Sequence, residues 1–246
     1  MAEKNEEIKG TKEEFIKEFE VFCYKNGRNR WEAWQDLMSF IAFSISNACD
    51  NDVARKNKRE SEYMSLISRY KYQDYIPKLF AMVVIALEKN PDQDFLGELY
   101  MSLDLGSHWH GQFFTPYSVC RMMAEMLYED KRTRNIITVN DSSCGAGATL
   151  IAQANLLKQK GINYQKDAIF VGQDIDRVVV MMCYIQLSLL GCSGYIVVAN
   201  TLTNPVCGSV LLPEEKEGQE FWYTPMFQMN SGRMPTHSDI PLPIAM

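Results

Sequence analysis

Three short stretches place residues with ligand-binding chemistry directly after runs of apolar residues. The stretch "NDSSCGAGATL" contains Asp141, Gly145 and Gly147, "FVGQDID" contains Asp174, and "VANTL" contains Asn200. Glycines after a strand let the backbone turn tightly and let a ligand approach closely. A carboxylate at the end of the next strand is able to accept both hydroxyls of a ribose, and an amide is able to meet the edge of an adenine. These patterns indicate a site for a cofactor that contains a nucleoside.

Each of these residues also has an interpretation that involves no ligand. A Gly-x-Gly pair after a strand also occurs in turns that bind nothing, and Asn at a strand end is often a turn residue. Asp176 is predicted to cap the helix that follows it. A dinucleotide-binding loop would need a third glycine where Leu150 stands, and an acidic residue about 20 residues later. Asp174 follows Gly147 by 27 residues, so the pattern disfavours a nicotinamide-dependent oxidoreductase.

The upstream stretch "HWHGQFFTPYSV" combines two histidines, two phenylalanines and a helix start. His108 and His110 form a pair that is able to ligate a metal, but no Cys, Asp or Glu lies at ligand spacing beside them, so no metal site is predicted. Thr115 is predicted as the helix cap and Pro116 as the first helical residue. The stretch therefore predicts an aromatic wall beside a helix N-terminus, which is able to hold an anionic group such as a carboxylate.

The first hundred residues, which precede these stretches, are predicted to be helical. Thr11 and Glu14 form a capping box, and further helices are predicted near 52–70, near 73–88 and after Asn90-Pro91. Apolar residues at helical spacing form the predicted core of this half: Phe15, Phe19, Phe22, Trp31, Trp34, Leu37, Met38 and Ile41.

Strand-like and helix-like runs alternate from Gly106 onward. The runs "NIITVND", "DAIFVGQD" and "GYIVVAN" are predicted strands, and the segments between them are long enough to be helices. Such alternation predicts a parallel sheet covered on both faces. The alternation stops after Leu202, where a hairpin with "SVLL" and "EFWYT" as arms is predicted, followed by a mobile tail rich in Pro, Met and Ser.

Composition narrows the classes of function. The chain has 246 residues and a net charge of −6, which argues against a protein that coats itself with nucleic acid. One basic cluster comprises Arg55, Lys56, Lys58 and Arg59, and is interpreted either as a solvated helix face or as a phosphate contact. The seven scattered cysteines indicate free thiols in a reducing compartment. Neither a signal peptide nor a long apolar span is present, so a cytoplasmic protein is predicted.

The stretches "GQFFTP", "DSSCGAG", "VGQDID" and "ANTL", taken in order, resemble the motif series of S-adenosylmethionine-dependent, adenine-specific (N-6) DNA methyltransferases. The resemblance is strongest to the modification subunit of type I restriction-modification systems and covers residues 95–202. It implies an α/β fold with a helical N-terminal domain (1–105), a partial class I, Rossmann-like sheet that binds S-adenosyl-L-methionine (106–202), and a hairpin and tail (203–246).

The resemblance also implies roles for individual residues. The range 111–116 would line the methionine end of the cofactor, the glycine loop would lie under it, Asp174 would bind the ribose, and Asn200 would meet the adenine ring. The cofactor-binding residues implied in this way are Gly111, Gln112, Phe113, Phe114, Thr115, Pro116, Asp141, Cys144, Gly145, Gly147, Asp174, Ile175 and Asn200.

The sequence departs from the family at the catalytic motif, which is Asn-Pro-Pro followed by an aromatic residue. In the family the Asn side chain and a carbonyl accept from the adenine 6-amino group, while the aromatic ring stacks on a flipped base. Here Asn204-Pro205 is followed by Val206 and begins four residues after Asn200, whereas a helix and a strand would need about 10 to 12 residues. Asn204-Pro205 is therefore interpreted as a turn, and no catalytic residue is assigned.

The resemblance leaves two functions open. The first is a DNA adenine methyltransferase that acts through a complex, with a specificity or modification subunit as partner, or as a shortened form of a longer enzyme. The second is an inactive, methyltransferase-like subunit that regulates or assembles such a complex. Trp222 and Tyr223 are interpreted either as base-stacking groups or as buried anchors of the tail. Because the first strand is central in such sheets, "SVLL", "EFWYT" or another polypeptide is predicted to cover its free edge.

Overall fold

A computed structural model describes residues 10–105, 114–128 and 136–230. Within these ranges the helices and strands follow in the order α1 (Lys12–Asn26), α2 (Arg30–Cys49), α3 (Val53–Ile67), α4 (Tyr75–Lys89), α5 (Phe95–Ser102), α6 (Tyr117–Leu127), β1 (Ile137–Asp141), α7 (Ala148–Gln159), α8 (Tyr164–Asp167), β2 (Ala168–Asp174), α9 (Arg177–Leu189), β3 (Gly194–Val198), β4 (Cys207–Ser209), β5 (Leu212–Glu214), β6 (Glu220–Tyr223) and α10 (Pro225–Asn230).

Local capping explains where the N-terminal helices begin. The Thr11 hydroxyl accepts from the backbone N–H of Glu14 at 3.2 Å, which confirms the predicted start of α1. The helix predicted to open at Asn90-Pro91 begins instead at Phe95, so that prediction is wrong. It begins there because the Asp94 carboxylate accepts from the Gly97 N–H at 3.0 Å. The predicted phenylalanines of α1 are buried, as expected.

The main sheet has the strand order β1-β2-β3-β6. The first three strands are parallel, with Asp141 opposite Gly172 and Asp174 opposite Val198. This confirms the predicted α/β class, because the helices α7 and α9 make the crossovers that parallel pairing requires. The fourth strand, β6, runs antiparallel to β3.

The structure corrects two predictions about the segment after Leu202. The hairpin pairs β4 with β5, so "EFWYT" is not one of its arms; it supplies β6 instead. Phe221 and Trp222 point to opposite faces and are both buried, which a two-stranded hairpin could not achieve. Neither "SVLL" nor "EFWYT" covers the outer edge of β1, and no strand among the described residues pairs with it. Thr138 and Asn140 of β1 are exposed, as suits an edge strand.

One hydrophobic core joins the helical half to the sheet. It includes α2, α9 and one face of the sheet, where Phe170, Ile196 and Trp222 lie. The Trp222 ring stacks on Phe43 of α2 at 5.9 Å between centroids and also contacts Tyr184 of α9. Two roles were considered for Trp222, base stacking and anchoring of the tail. Its burial shows that it is an anchor. The domain boundaries at residues 105 and 202 stay a prediction, but this core crosses both positions.

The basic cluster on α3 is divided between the interior and the surface. The Arg59 guanidinium is buried, donates to the Asp50 carboxylate at 3.1 Å, and lies 4.0 Å from the Trp222 ring centroid. Arg55 donates to Asp50 and to Glu215. Because two of its four cations are paired with carboxylates, the cluster is neither a fully solvated face nor an open phosphate site.

Helix α6 exposes most of its apolar side chains. It begins at Tyr117 with the extended Pro116 as its cap residue, so the predicted cap Thr115 is one residue too early. Cys120 and Ala124 are buried against α7. The apolar residues on the adjoining arc are exposed: Val119, Met122, Met123, Met126 and Leu127. Since soluble proteins rarely expose a contiguous apolar face of this kind, it is a candidate contact surface.

The seven cysteines are free thiols, and five of them are buried. Among the described residues no cluster of three or more metal-ligating side chains occurs. His108, His110 and the predicted tail after residue 230 lie outside those residues. None of the helices that the structure describes is both long enough and apolar enough to cross a membrane.

Candidate cofactor site

The parallel sheet brings the predicted strand-end residues to one edge. Asp141 ends β1, Asp174 ends β2, and Asn200 follows β3 by two residues. The Ala199 N–H donates to the Asp174 carbonyl oxygen at 2.9 Å, so β3 and β2 stay paired up to this edge. The carboxyl edge of an open parallel sheet is where such folds bind their ligands.

The loop after β1 has the backbone conformation that its glycines permit. Gly145 and Gly147 have φ values of +51° and +97°, which are left-handed conformations that side chains disfavour. The Cys144 N–H donates to the Gln173 carbonyl oxygen at 3.0 Å, and the Gly147 N–H donates to the Cys144 carbonyl oxygen at 2.8 Å. A Cβ on Gly147 would lie 2.7 Å from the Cys183 sulfur. The loop is therefore tight and anchored to β2.

The two aspartates hold this loop by accepting hydrogen bonds from three backbone N–H groups and one hydroxyl. Asp174 accepts from the Gly145 N–H at 3.0 Å with Oδ2 and from the Asp176 N–H at 3.1 Å with Oδ1. Asp141 accepts from the Ser143 N–H at 3.0 Å and from the Thr149 hydroxyl. An ionised carboxylate has about four lone-pair positions. Asp174 thus has acceptor capacity beyond these two bonds, as binding of ribose hydroxyls would require.

An aromatic ring lies against the same loop. Ring atoms of Phe114 are 3.3 Å from the position that a Cβ on Gly145 would take, and the ring is 5.2 Å from that of Tyr100. Burial raises the pKa of Tyr100 to about 12, so its hydroxyl stays protonated at neutral pH. Phe114, one residue of the predicted aromatic stretch, therefore lies against the glycine loop. Gly111, Gln112 and Phe113 lie outside the described residues.

The third strand end is built as a turn. The Asn200 side-chain oxygen accepts from the N–H groups of Leu202 and Thr203, at 2.9 and 3.3 Å. The side-chain nitrogen of Asn200 would therefore make the predicted contact with an adenine ring. That contact stays a prediction. Ile175 is 66% exposed directly beside Asp174, so its side chain is accessible to a ligand on this edge.

Asn204-Pro205 lies in the predicted turn. The Asn204 N–H donates to the Asn200 carbonyl at 2.7 Å, and its side-chain amide donates to the Glu217 carbonyl at 3.0 Å. Gln173 donates to the Asn204 carbonyl at 3.0 Å and accepts from the Val206 N–H at 3.1 Å. The turn interpretation is therefore confirmed, because the Asn204 amide is held against the loop before β6.

Several supporting residues were not predicted as part of the site. Gln173 binds the turn after β3, and the Thr201 hydroxyl donates to the Ser142 carbonyl at 2.6 Å. Gln186 donates to the Ala146 carbonyl inside the glycine loop at 2.9 Å. The available signal was a buried amide within an otherwise apolar run, "AIFVGQD" for Gln173 and "MMCYIQLSLL" for Gln186. Buried polar groups need partners, so such residues mark connections.

The cysteines near the loop are not built as nucleophiles. Burial, followed by contact with Cys144, raises the pKa of the Cys183 thiol well above its usual range. A thiol must ionise to attack or to bind a metal. Cys183 therefore acts as a small packing residue under the loop, and Cys144, also buried, lies against it.

Comparisons with known proteins give one family match and one structural similarity. The sequence model of the N-6 DNA methylase family matches residues 93–217, about half of the chain. The chain is also similar to a Listeria monocytogenes protein provisionally assigned as a class I S-adenosylmethionine-dependent methyltransferase. That similarity has a TM-score of 0.43 and 15% sequence identity, and covers 91% of this chain and 70% of the other. A comparison with curated proteins finds no match. By its sequence match, the chain belongs to the N-6 DNA methylase family.

Proposed function

We propose that this chain binds S-adenosylmethionine at the carboxyl edge of its sheet and serves in N-6 methylation of adenine in DNA. The observation that carries the proposal is the glycine loop, whose Gly145 N–H is hydrogen-bonded to the Asp174 carboxylate while the Phe114 ring packs against it. Family membership supports the type of reaction. As the specific class within this family, we propose the modification subunit of type I restriction-modification systems.

The residues present fit such a cofactor. Gly145 and Gly147 let the loop adopt left-handed backbone conformations, and Asp174 has acceptor capacity for the ribose hydroxyls. Ile175 offers an exposed apolar side chain next to that carboxylate, and Asn200 offers an amide for the adenine. When bound, the cofactor would supply the methyl group from its sulfonium centre. The protein's part at this edge is to bind and orient it.

We propose that the catalytic segment comes from a partner subunit or from a further part of the protein. The Asn204 amide is held by the Glu217 carbonyl and is not followed by the second proline and aromatic residue that the family uses. Two features of the described residues support an added segment: the unpaired outer edge of β1 and the exposed apolar face of α6. Both elements contact α7.

The same observation favours one alternative. If the Asn204 turn replaces a lost catalytic motif, the chain would be an inactive methyltransferase-like subunit that binds the cofactor and regulates or assembles a modification complex. A methyl-transfer assay distinguishes the two functions. Tritiated S-adenosylmethionine and adenine-containing DNA are incubated with the chain alone and with candidate modification or specificity subunits. Transfer only in the complex supports the first function, and cofactor binding without transfer in any complex supports the alternative.

Calorimetric titration tests the cofactor site directly. We expect the wild-type chain to bind S-adenosylmethionine in preference to NAD. Asp174→Ala should weaken that binding by about 10- to 100-fold, the effect of losing hydrogen bonds to a charged group. Asp176→Ala is the matched control, because its carboxylate caps α9 by accepting from the Val178 N–H at 2.8 Å. The control should lower stability but keep the affinity. NAD binding without S-adenosylmethionine binding would reject the proposal.

A further inference from the structure

Gln186 is a fully buried amide in the last turn of the apolar helix α9. Its Nε2 donates to the Asp94 carboxylate at 2.7 Å and to the Ala146 carbonyl at 2.9 Å. Its Oε1 accepts from the Leu96 N–H at 3.1 Å. All the hydrogen-bonding atoms of this side chain are thus engaged, on one side with the start of α5 and on the other with the glycine loop.

The orientation of this amide is determined by its partners. The Leu96 N–H is only a donor and the Ala146 carbonyl is only an acceptor, so a flipped amide would face a donor with its nitrogen and an acceptor with its oxygen. A buried mismatch of this kind is unfavourable because it leaves a donor and an acceptor without partners. Gln186 therefore holds a single geometry between the two segments.

The carbonyl that Gln186 binds lies at a critical point of the loop. Ala146 stands between the two glycines with left-handed backbones, Gly145 and Gly147. The Gly145 N–H is held by Asp174 at 3.0 Å. Glycines resist rotation of the neighbouring peptide planes only weakly, so hydrogen bonds must select the loop conformation. Gln186, at the Ala146 carbonyl, and Asp174, at the Gly145 N–H, are two of the side chains that do so.

Asp94 connects this arrangement to the helical half. Its carboxylate is almost completely buried, caps α5 through the Gly97 N–H at 3.0 Å and accepts from Gln186. A Cβ on Gly97 would overlap the carboxylate, so the absence of a side chain at residue 97 makes room for it. Burial raises the pKa of Asp94, while the hydrogen bonds from Gln186 and Gly97 oppose that rise.

We infer that Gln186 is a positioning residue for the cofactor loop and that Asp94, by holding the Gln186 amide, couples the loop to helix α5. The inference rests on the cofactor site of the proposed function. Gln186 touches no part of the site surface and acts through the Ala146 carbonyl. A change at the start of α5 should therefore reach the loop through two hydrogen bonds.

The principal test uses Gln186→Met, which keeps the side-chain length and removes both the donor and the acceptor. We expect the binding of S-adenosylmethionine to weaken by about tenfold, in line with the loss of one buried hydrogen-bond partner. Amide hydrogen exchange of residues 144–147 should become faster in the protein without ligand. A purely structural role would lower stability without moving either of these two measurements.

Asn155→Leu is the matched control. Asn155 is also a buried helix amide, and it donates to the Pro91 carbonyl at 2.9 Å and to the Ile151 carbonyl at 3.0 Å. It does not contact the glycine loop through these bonds. The control should lose stability while its cofactor affinity and its exchange at residues 144–147 stay close to wild type. An equal loss of affinity in both variants would overturn the inference.

Gly97→Ala perturbs the Asp94–Gln186 hydrogen bond from the α5 side. It is the second test variant if Gln186→Met does not fold. Ala is the better helix former, so a change inside a helix would ordinarily stabilise it. Here the added Cβ should displace Asp94 and make exchange at residues 144–147 faster, and unchanged exchange would contradict the inference. The exchange measurement needs no ligand. If the wild-type chain fails to bind S-adenosylmethionine, the proposed function fails while the role of Gln186 in the loop is still tested.

Discussion

The sharpest stability prediction concerns Gly147, the last residue of the glycine loop. Gly147→Ala introduces a Cβ at a backbone φ of +97°, and that atom would lie 2.7 Å from the Cys183 sulfur. Two separate costs follow. One is the strain of a left-handed backbone with a side chain, and the other is the collision with α9, which forms part of the core under the loop.

The size of each cost is estimated from related cases. A left-handed conformation costs a residue with a Cβ about 1–2 kcal/mol. Overpacking a well-packed core costs about 1–3 kcal/mol. Gly147→Ala should therefore lower the free energy of unfolding by about 2–5 kcal/mol. Gly27→Ala is the matched control, because Gly27 has a φ of +62° but nothing within 4 Å of an added Cβ. The control should lose only the strain, about 1–2 kcal/mol.

Urea unfolding of five proteins separates the two costs: wild type, Gly147→Ala, Gly27→Ala, Cys183→Ala and the double variant of Gly147 and Cys183. Without the sulfur, the nearest Cys183 atom to the new side chain is its Cβ at 3.4 Å, an ordinary contact. The double variant should therefore be more stable than the sum of its single variants predicts, by about 1–3 kcal/mol. Equal losses in the two glycine variants, or strict additivity in the double variant, would refute the reasoning.

A buried arginine, a buried aspartate and an exposed methionine each give a further test of the described contacts. Arg59→Met leaves the buried Asp50 carboxylate with one cation fewer and should cost about 3–5 kcal/mol in urea unfolding. Arg30→Met, which breaks a half-exposed pair, should cost less than about 1 kcal/mol; equal losses would contradict the burial argument. Because burial raises the pKa of Asp94, its contribution to stability is complete below about pH 4 and is lost as pH rises toward the raised pKa. The stability of Asp94→Asn relative to wild type should therefore increase between pH 4 and pH 7, and a flat or falling difference would contradict that sign. Met126 is 76% exposed on α6, so Met126→Glu should change the free energy of unfolding by less than about 0.5 kcal/mol. A larger loss would show that this face is covered in the folded chain.

The chain belongs to a DNA methylase family although its charge is −6 and its one basic cluster is partly internal. Arg59 lies in the core beneath Trp222, and Arg55 is paired with Asp50 and Glu215. DNA affinity depends on cations that face the phosphates. These two arginines instead connect α3 to the segment around β6, so their first role is in folding.

Local sequence determined the features that depend on neighbouring residues. Thr11 starts α1 and Asp176 starts α9 because a side-chain oxygen reaches an N–H two or three residues ahead. The alternation of strands and helices determined the parallel pairing of β1, β2 and β3, since a crossover helix returns the chain in the same direction. The glycine loop and Asp174 were found for the same reason: they follow their strands directly, and parallel strands end at one edge.

Tertiary structure alone decided the features that depend on distant partners. The strand "EFWYT" pairs with β3 and not with "SVLL", because Phe221 and Trp222 need a sheet with two covered faces. Arg59 looked like part of a surface cluster, yet its guanidinium donates to the Phe221 carbonyl 162 residues away. Gln186 looked like an isolated polar residue in an apolar helix, yet it joins α5 to the glycine loop. Periodicity reports which side of an element is apolar. It carries no information on which distant donor or acceptor a buried polar group meets, and packing of the whole core settles that choice.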